Sequence, residues 1–376
     1  MFAIRSAMPL EFSTLAEAAA WFDAWLLEAA LPLWSQAGLD AAGGSFQEAL
    51  TVAGAPWPAP RRSRVQTRQI WVYATAAAAG LGEPYGALAA RAYRAYREHY
   101  RRPDGLFLYA ADADGRSVDE TAALYEQAFA LLAMAALDAR GAGLAADADA
   151  LAAAAAAAFR HDRGGFRETG ARPFQANAQM HLFEAALAWE EAGRGQGSWI
   201  GLADELARLA LTRFIDARTG ALREFFDADW RALADEEGGL IEPGHQFEWA
   251  WLLERWGRAR GRPEAQAAAR RLYAVGLRGV DPAAGVAVNA LWSDLSLRDP
   301  ATRIWAQTEY LKAALLFEDA AEALRAANGL GLYLQTPRRG TWRDKLRADR
   351  SFVEEPAPAT SFYHLLGAIL PLRAAL

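Results

Sequence analysis

The sequence predicts an all-α fold: six helical hairpins closed into a double ring, an (α/α)6 barrel with short β-hairpin segments in its loops. Three observations carry that expectation. Apolar residues recur at helical spacing along most of the chain, a Gly-plus-hydrophobic turn recurs after every second helix, and the terminal helices are as apolar as the middle ones.

The helical segments lie near 13–33, 64–80, 84–100, 120–139, 144–159, 175–192, 200–213, 244–257, 262–276, 302–316, 319–334 and 360–375. The turns are Gly44-Ser45-Phe46, Gly105-Leu106-Phe107, Gly165-Phe166, Gly220-Ala221-Leu222, Gly285-Val286 and Gly340-Thr341-Trp342, at intervals of 61, 60, 55, 65 and 55 residues. The reading is a helix pair joined by a short Gly turn, with a small extended segment after the glycine, where φ > 0 is needed. One pair cannot bury its apolar face alone, so the pairs stack side by side. Closure is favoured over an open solenoid because no polar capping repeat is visible. Phe22, Trp25 and Leu26 at one end, and Phe362, Leu365, Leu366, Ile369 and Leu370 at the other, need cover. The whole chain, 1–376, then forms a single domain.

Composition removes several classes. A net charge of −6 and the lack of a basic stripe argue against nucleic acid and anionic membranes. The Arg61–Arg64 and Arg338-Arg339 clusters are short and read as surface. The absence of Cys removes disulfides, thiolate metal sites and cysteine nucleophiles. Met1 to Phe12 lacks a basic region followed by an apolar run, and no stretch is apolar enough to span a bilayer, so the expected compartment is the cytoplasm. A monomer or a homodimer is expected. The 14 Trp exceed what a core of this size needs, and indoles suit sugar faces.

Chemistry is sought first among the five His. His99 and His161 sit beside charged residues at helix ends and read as surface. His181, His245 and His364 occupy polar–aromatic phrases on alternate helices. His245 and Glu248 stand three apart on one helix face, so the carboxylate is expected beside the imidazole, raising its pKa and fixing its tautomer. Asn177 and His181 share a face likewise. Arg68, enclosed by Val65, Ile70 and Trp71, reads as an inward cation for a carboxylate, a phosphate or a developing oxyanion, or as the partner of Glu126 or Glu309. Tyr125-Glu126-Gln127, Trp305-Ala306-Gln307-Thr308-Glu309 and Ala290-Leu291-Trp292-Ser293-Asp294 mix aromatics with hydrogen-bonding groups, as sugar hydroxyls require. No His-x-x-x-His pair, carboxylate-rich loop, phosphate loop or nucleophile elbow is present, so neither metal nor cofactor is expected.

Together these phrases resemble the N-acylglucosamine 2-epimerase family of sugar isomerases and epimerases. The motifs are Arg68-Gln69-Ile70-Trp71, Asn177–His181, Glu242-Pro243-Gly244-His245-Gln246-Phe247-Glu248-Trp249, Trp305–Glu309 and Phe362-Tyr363-His364. The resemblance implies that His245 and His364 are an acid/base pair flanking C1–C2 of a free monosaccharide. It implies that Arg68 holds the oxygens of a cis-enediolate, and that His181 and Glu248 help open the ring and tune the bases. Asn177 and Tyr125 would bind hydroxyls and Trp305 would line the pocket, with Glu309 and Trp249 in the substrate-binding set. Ala306 replaces the family's commoner Pro, and Thr360 stands where relatives can carry a polar ligand. Isomerisation of D-mannose to D-fructose leads because no long inserted loop would build disaccharide subsites. Epimerisation at C2 of mannose or glucose, N-acylglucosamine or cellobiose uses the same groups. Two other readings compete: a glycoside hydrolase using Glu248 and Asp294 across a cleft, and a binding scaffold with exposed His and a filled axis.

Overall fold

The computed structural model describes residues 10–194 and 198–375, so most of the Met1–Phe12 segment lies outside the described residues. Among those described, twelve long helices follow in order. Helix α1 runs through Leu15–Trp25, a widened turn Leu26–Ala30, and Leu31–Gln36. Next are α2 (Ser63–Ala78), α3 (Glu83–Tyr100), α4 (Leu124–Asp138), α5 (Ala145–Phe159), α6 (Ala176–Trp189) and α7 (Ser198–Leu209). The last five are α8 (Pro243–Arg260), α9 (Pro263–Arg278), α10 (Ile304–Leu316), α11 (Ala320–Tyr333) and α12 (Ser361–Ala374). The expected segments are all present, with ends shifted by a few residues.

Even-numbered helices form the inner ring and odd-numbered ones the outer ring. Each inner helix packs on the next, and α12 packs on α2, which closes the circle. Burial follows from sequence. In α4 only Tyr125 and Ala136 escape burial, whereas α3 buries a stripe through Ala89, Ala92, Tyr93, Tyr96 and Tyr100 and exposes its other side. The sixth pair is made from the two ends of the chain, with α1 lying against α12. None of the described helices is long and apolar enough to cross a membrane.

The position of the recurring turn corrects the sequence reading. The Gly turns do not join the two helices of a pair; they lie on the longer connections from each outer helix to the next inner one. Their glycines all have positive φ, from 65° at Gly285 to 98° at Gly340. The residue after the glycine, or the next one, is then held by a buried glutamine from the first turn of the following inner helix. Gln66 accepts from Phe46 N–H at 2.7 Å and donates to its carbonyl at 2.9 Å. Gln127 does the same for Phe107, Gln179 for Phe166, Gln246 for Leu222 and Gln307 for Ala287. In the sixth repeat Trp342 packs instead against Phe362, with ring centroids 5.6 Å apart.

These connections are also stitched to one another around the rim. Ala49–Leu50 pairs with Ala357–Pro358, Arg61–Arg62 with Ala110–Ala111, and the hairpin Val286–Trp292/Leu297–Arg303 with Leu240–Ile241 and Lys345–Leu346. Gln175 bridges Phe225, and Glu168 accepts from the first two N–H groups of α4, Leu124 and Tyr125, both at 2.8 Å. The rim pairing buries Arg61, which the sequence placed on the surface; it is 4% exposed and 3.0 Å from Asp40.

Replacing Gln127 by Leu keeps its volume roughly but strands the N–H and C=O of Phe107. The expected cost is about 2–4 kcal/mol, read as a lower midpoint in urea unfolding.

Candidate active site

The rim loops lead the chain into the inner helices, so all six inner helices begin at one end of the barrel. A cavity of about 730 Å³ opens there, lined by rim-loop residues and by the N-caps and first two turns of the inner helices. Six positive helix ends therefore converge on it, a setting that favours negative charge.

Arg68, Tyr125, Asn177, His181, His245, Glu248, Trp305 and His364 all line this cavity, as the sequence expected. Glu309 and Trp249 do not. Glu309 is fully buried behind His364, and Trp249 is fully buried in the ring wall, packed on Phe183 at 5.9 Å. Both sit on the wall side of their helices. Among the described residues Trp305 alone of the Trp lines the cavity; Trp25, Trp34, Trp189, Trp230 and Trp342 belong to the core. Asp294 is exposed on the turn of a rim hairpin, bonded to Ser296, so it cannot face Glu248 across a cleft. His161 and His99 lie half-buried outside the cavity.

Arg68 is 5% exposed and has no carboxylate partner among the described residues. Its guanidinium donates to Thr360 and, at 2.7 Å, to the Tyr125 hydroxyl, while its Nε is buried without a partner. The ring of Phe129 lies 4.1 Å from it and that of Tyr363 5.1 Å. The carboxylates offered by the sequence are taken elsewhere: Glu126 by Arg64, and Glu309 by Lys312 and His364.

Each cavity imidazole has a carboxylate on Nδ1, leaving Nε2 for the cavity. His364 bonds Glu309 at 2.9 Å, and Glu309 is 2.7 Å from Lys312 Nζ. His181 bonds Glu184 at 3.2 Å, with Glu248 at 3.9 Å. His245 bonds Glu224 at 2.9 Å, with Glu242 at 3.7 Å. The expected His245–Glu248 pair does not form. Glu224, from the connection after α7, occupies Nδ1, and Glu248 lies one turn deeper, toward His181.

These surroundings separate the imidazoles. Burial, helped by the nearby Arg68 and Lys312 charges and opposed by Glu309, brings His364 down to about 4. Burial likewise brings His181 down to about 4, despite Glu184. At His245 burial again pulls downward, but Glu224, Glu242 and Glu248 together outweigh it and lift the group to about 10. Burial, with Glu309 and Glu184 adding repulsion, pushes Glu248 well above the usual carboxylate range. Glu309 is held at about 2, because Lys312 and His364 overcome its burial.

Glu184, Glu224 and Lys312 were not singled out from the sequence. Glu184 and Lys312 stand three residues from His181 and Glu309 on their own helices, a spacing that could have found them, whereas the assembled ring brings Glu224 to His245 from another segment. The same assembly gathers three His–carboxylate groups with ligand-type atoms within 4.8 Å of one another: His181/Glu184/Glu248, Glu224/Glu242/His245 and Glu248/Glu309/His364. The expectation that no metal set exists rested on local spacing, which cannot see such groups. In each, however, Nδ1 already has a carboxylate within hydrogen-bond reach, an arrangement for holding and moving protons.

The N-acylglucosamine 2-epimerase (GlcNAc 2-epimerase) family matches residues 44–368. A protein of Rhizobium meliloti (strain 1021) called mannose-6-phosphate isomerase is 46% identical over 366 residues, covering 93% of this chain and 95% of that one. Two solved structures share the fold. A cellobiose 2-epimerase from Bacillus thermoamylovorans B4167 has a TM-score of 0.85 at 18% identity, over 96% of this chain and all of the other. A D-mannose isomerase has a TM-score of 0.84 at 20% identity, over 95% of this chain and 98% of the other. The chain thus belongs to the N-acylglucosamine 2-epimerase family, a family of sugar isomerases and epimerases.

Proposed function

We propose that this enzyme interconverts D-mannose and D-fructose through a cis-enediolate, by proton transfer between C2 and C1. The observation that carries the reading is Arg68: a buried cation with no contacting carboxylate among the described residues, sharing a cavity with one neutral and one cationic imidazole at the convergence of six helix N-termini. An α-proton is weakly acidic, so the site must stabilise the enediolate and supply a base that is neutral near pH 7. The names of the similar proteins, a mannose-6-phosphate isomerase and a D-mannose isomerase, support mannose as the sugar.

The steps balance. His364, neutral, takes the C2 proton through Nε2 while His245, an imidazolium, protonates O1, and an enediol results. Arg68 stabilises the negative charge that develops on the oxygens. His245 then takes the O2 proton as His364 returns its proton to C1, which gives the ketose and restores both imidazoles. His181, Glu248 and Asn177 are placed to act on the sugar ring and its hydroxyls, and Trp305, with ring centroids 5.0 Å from His245 and 5.9 Å from His364, offers a face between them. Epimerisation at C2 is the second reading. The cavity is larger than a hexose, as a cellobiose epimerase would need.

Proton NMR in D2O tests the proposal with D-mannose and its 6-phosphate in parallel. Fructose or its phosphate is the expected product, whereas glucose deuterated at C2 would make this an epimerase, and unchanged sugars would sink both readings. His364→Ala and His245→Ala should each lose about 10²–10⁴-fold in kcat.

The pH profile has a stated sign. The base works deprotonated, so activity falls as pH drops through the His364 value of about 4. The acid works protonated, so activity falls as pH rises through the His245 value of about 10. A broad plateau in kcat/KM between these limits is expected; a narrow bell centred near 6.5 would contradict the charge assignment.

Gly244 gives a test of position. A Cβ there would stand 2.5 Å from ring carbons of Trp305, so Gly244→Ala must displace the indole between the two imidazoles. A fall of about 100-fold in kcat with unchanged unfolding is expected.

A further inference from the structure

His245 and His364 look alike in sequence and both donate Nδ1–H to a buried glutamate at 2.9 Å. What differs is the other partner of that glutamate. Glu309 is also held by Lys312 at 2.7 Å, so His364 faces a pair whose charges cancel. Glu224 is 3% exposed, its second oxygen has no hydrogen-bond partner, and no Arg or Lys pairs with it among the described residues. A second carboxylate, Glu242 at the start of α8, stands 3.7 Å from the same His245 nitrogen. His245 is therefore the cation that faces this pair of carboxylates; burial raises Glu242, and the His245 charge opposes that rise. The remaining neighbours do not change that sign. Glu248, on the same helix, is acidic; His181, from α6, is held neutral by burial; Arg303, from the start of α10, acts on Glu242; and Trp305 is uncharged.

We propose that Glu224 is a positioning residue that holds His245 as the imidazolium and thereby commits the enediolate to the ketose rather than to the C2 epimer. The inference rests on the isomerase reading above. Both outcomes begin when His364 breaks the C2–H bond and keeps the proton. In isomerisation His364 returns it to C1, and His245 lends a proton to O1 and regains one from O2, so both imidazoles end as they began. In epimerisation the new C2–H bond forms on the opposite face with a proton from His245. The product then leaves His245 neutral beside Glu224 and Glu242, and leaves His364 charged beside Arg68. Both imidazoles finish in the form that their neighbours oppose. Lys312 enforces this at one end and Glu224 at the other.

The test uses Glu224→Gln, whose amide oxygen can still accept from Nδ1 but carries no charge, and Glu224→Asp, which keeps the charge. The first readout is the titration of the His245 ring by NMR in the substrate-free enzyme. It should fall by about two pH units or more in Glu224→Gln and return upward in Glu224→Asp. A purely structural role would lower activity without moving this titration. The second readout is the initial ratio of glucose to fructose formed from mannose in D2O. It should rise by about tenfold for each pH unit by which the titration falls. An unmoved titration or an unmoved ratio overturns the proposal. Should the variants fail to fold, the wild-type ring decides: His245 found neutral at pH 7 overturns it as well. Because the titration needs no sugar, it judges Glu224 even if the wild-type enzyme makes only glucose, a result that would sink the isomerase reading by itself.

Discussion

The backbone at the mouth of the barrel has to be satisfied without water, and five glutamines do this. Gln66, Gln127, Gln179, Gln246 and Gln307 are at most 2% exposed, and each closes a two-bond clamp on the loop that leads into its own helix, 20, 20, 13, 24 and 20 residues upstream. An amide side chain suits the task because it offers a donor and an acceptor side by side, matching the N–H and C=O of one residue. The clamp holds the connection against the first turn of the helix, and that turn carries the cavity side chains. Tyr125 is two residues from Gln127, His181 two from Gln179, and His245 and Gln246 are neighbours. Side-chain placement in the cavity thus depends on a repeated backbone contact that touches no substrate.

The second constraint is electrostatic. The ring interior holds Glu184, Glu248, Glu309 and Lys312 together, a costly arrangement unless each group is paired or neutral. Glu309 and Lys312 pair. Glu184 bonds both His181 and Tyr363. Glu248, repelled by the other two carboxylates, is driven toward its neutral form. The uneven compensation of these carboxylates is what leaves one imidazole neutral and the other cationic.

Much of this could be read from the sequence, and the gaps follow a rule. Helix positions, the ring and the motif residues Arg68, His181, His245 and His364 were legible because they rest on periodicity and on local phrases. The misplacements concern mostly contacts between elements, with the Gly turns, which lie between pairs and not within them, as an error of connection. The His245–Glu248 pairing satisfied helical spacing, yet Glu224 arrives from another segment and occupies the nitrogen first. Glu309 lies in a motif and faces His364 from behind, on the wall side. The recurring glycines were found, but their glutamine partners were not, because the intervening loops vary in length and blur the period. Trp249 shows the converse: membership of a motif does not say which face of the helix a side chain takes.

The closing pair carries a consequence for how the protein is made. Arg68 reaches Thr360 across 292 residues of chain, and α1 finds its partners only in the late helices α11 and α12. A growing polypeptide can therefore assemble its early hairpins while still on the ribosome. Through all of that time, however, the apolar flank of α1 and the α2 side of the ring stay uncovered, and the cavity lacks one of its three imidazoles. Synthesis at about 5–20 residues per second leaves that seam open for many seconds. Helix α12 seals the ring and brings His364 to the cavity in the same event, so the cavity is completed only when that apolar seam is hidden.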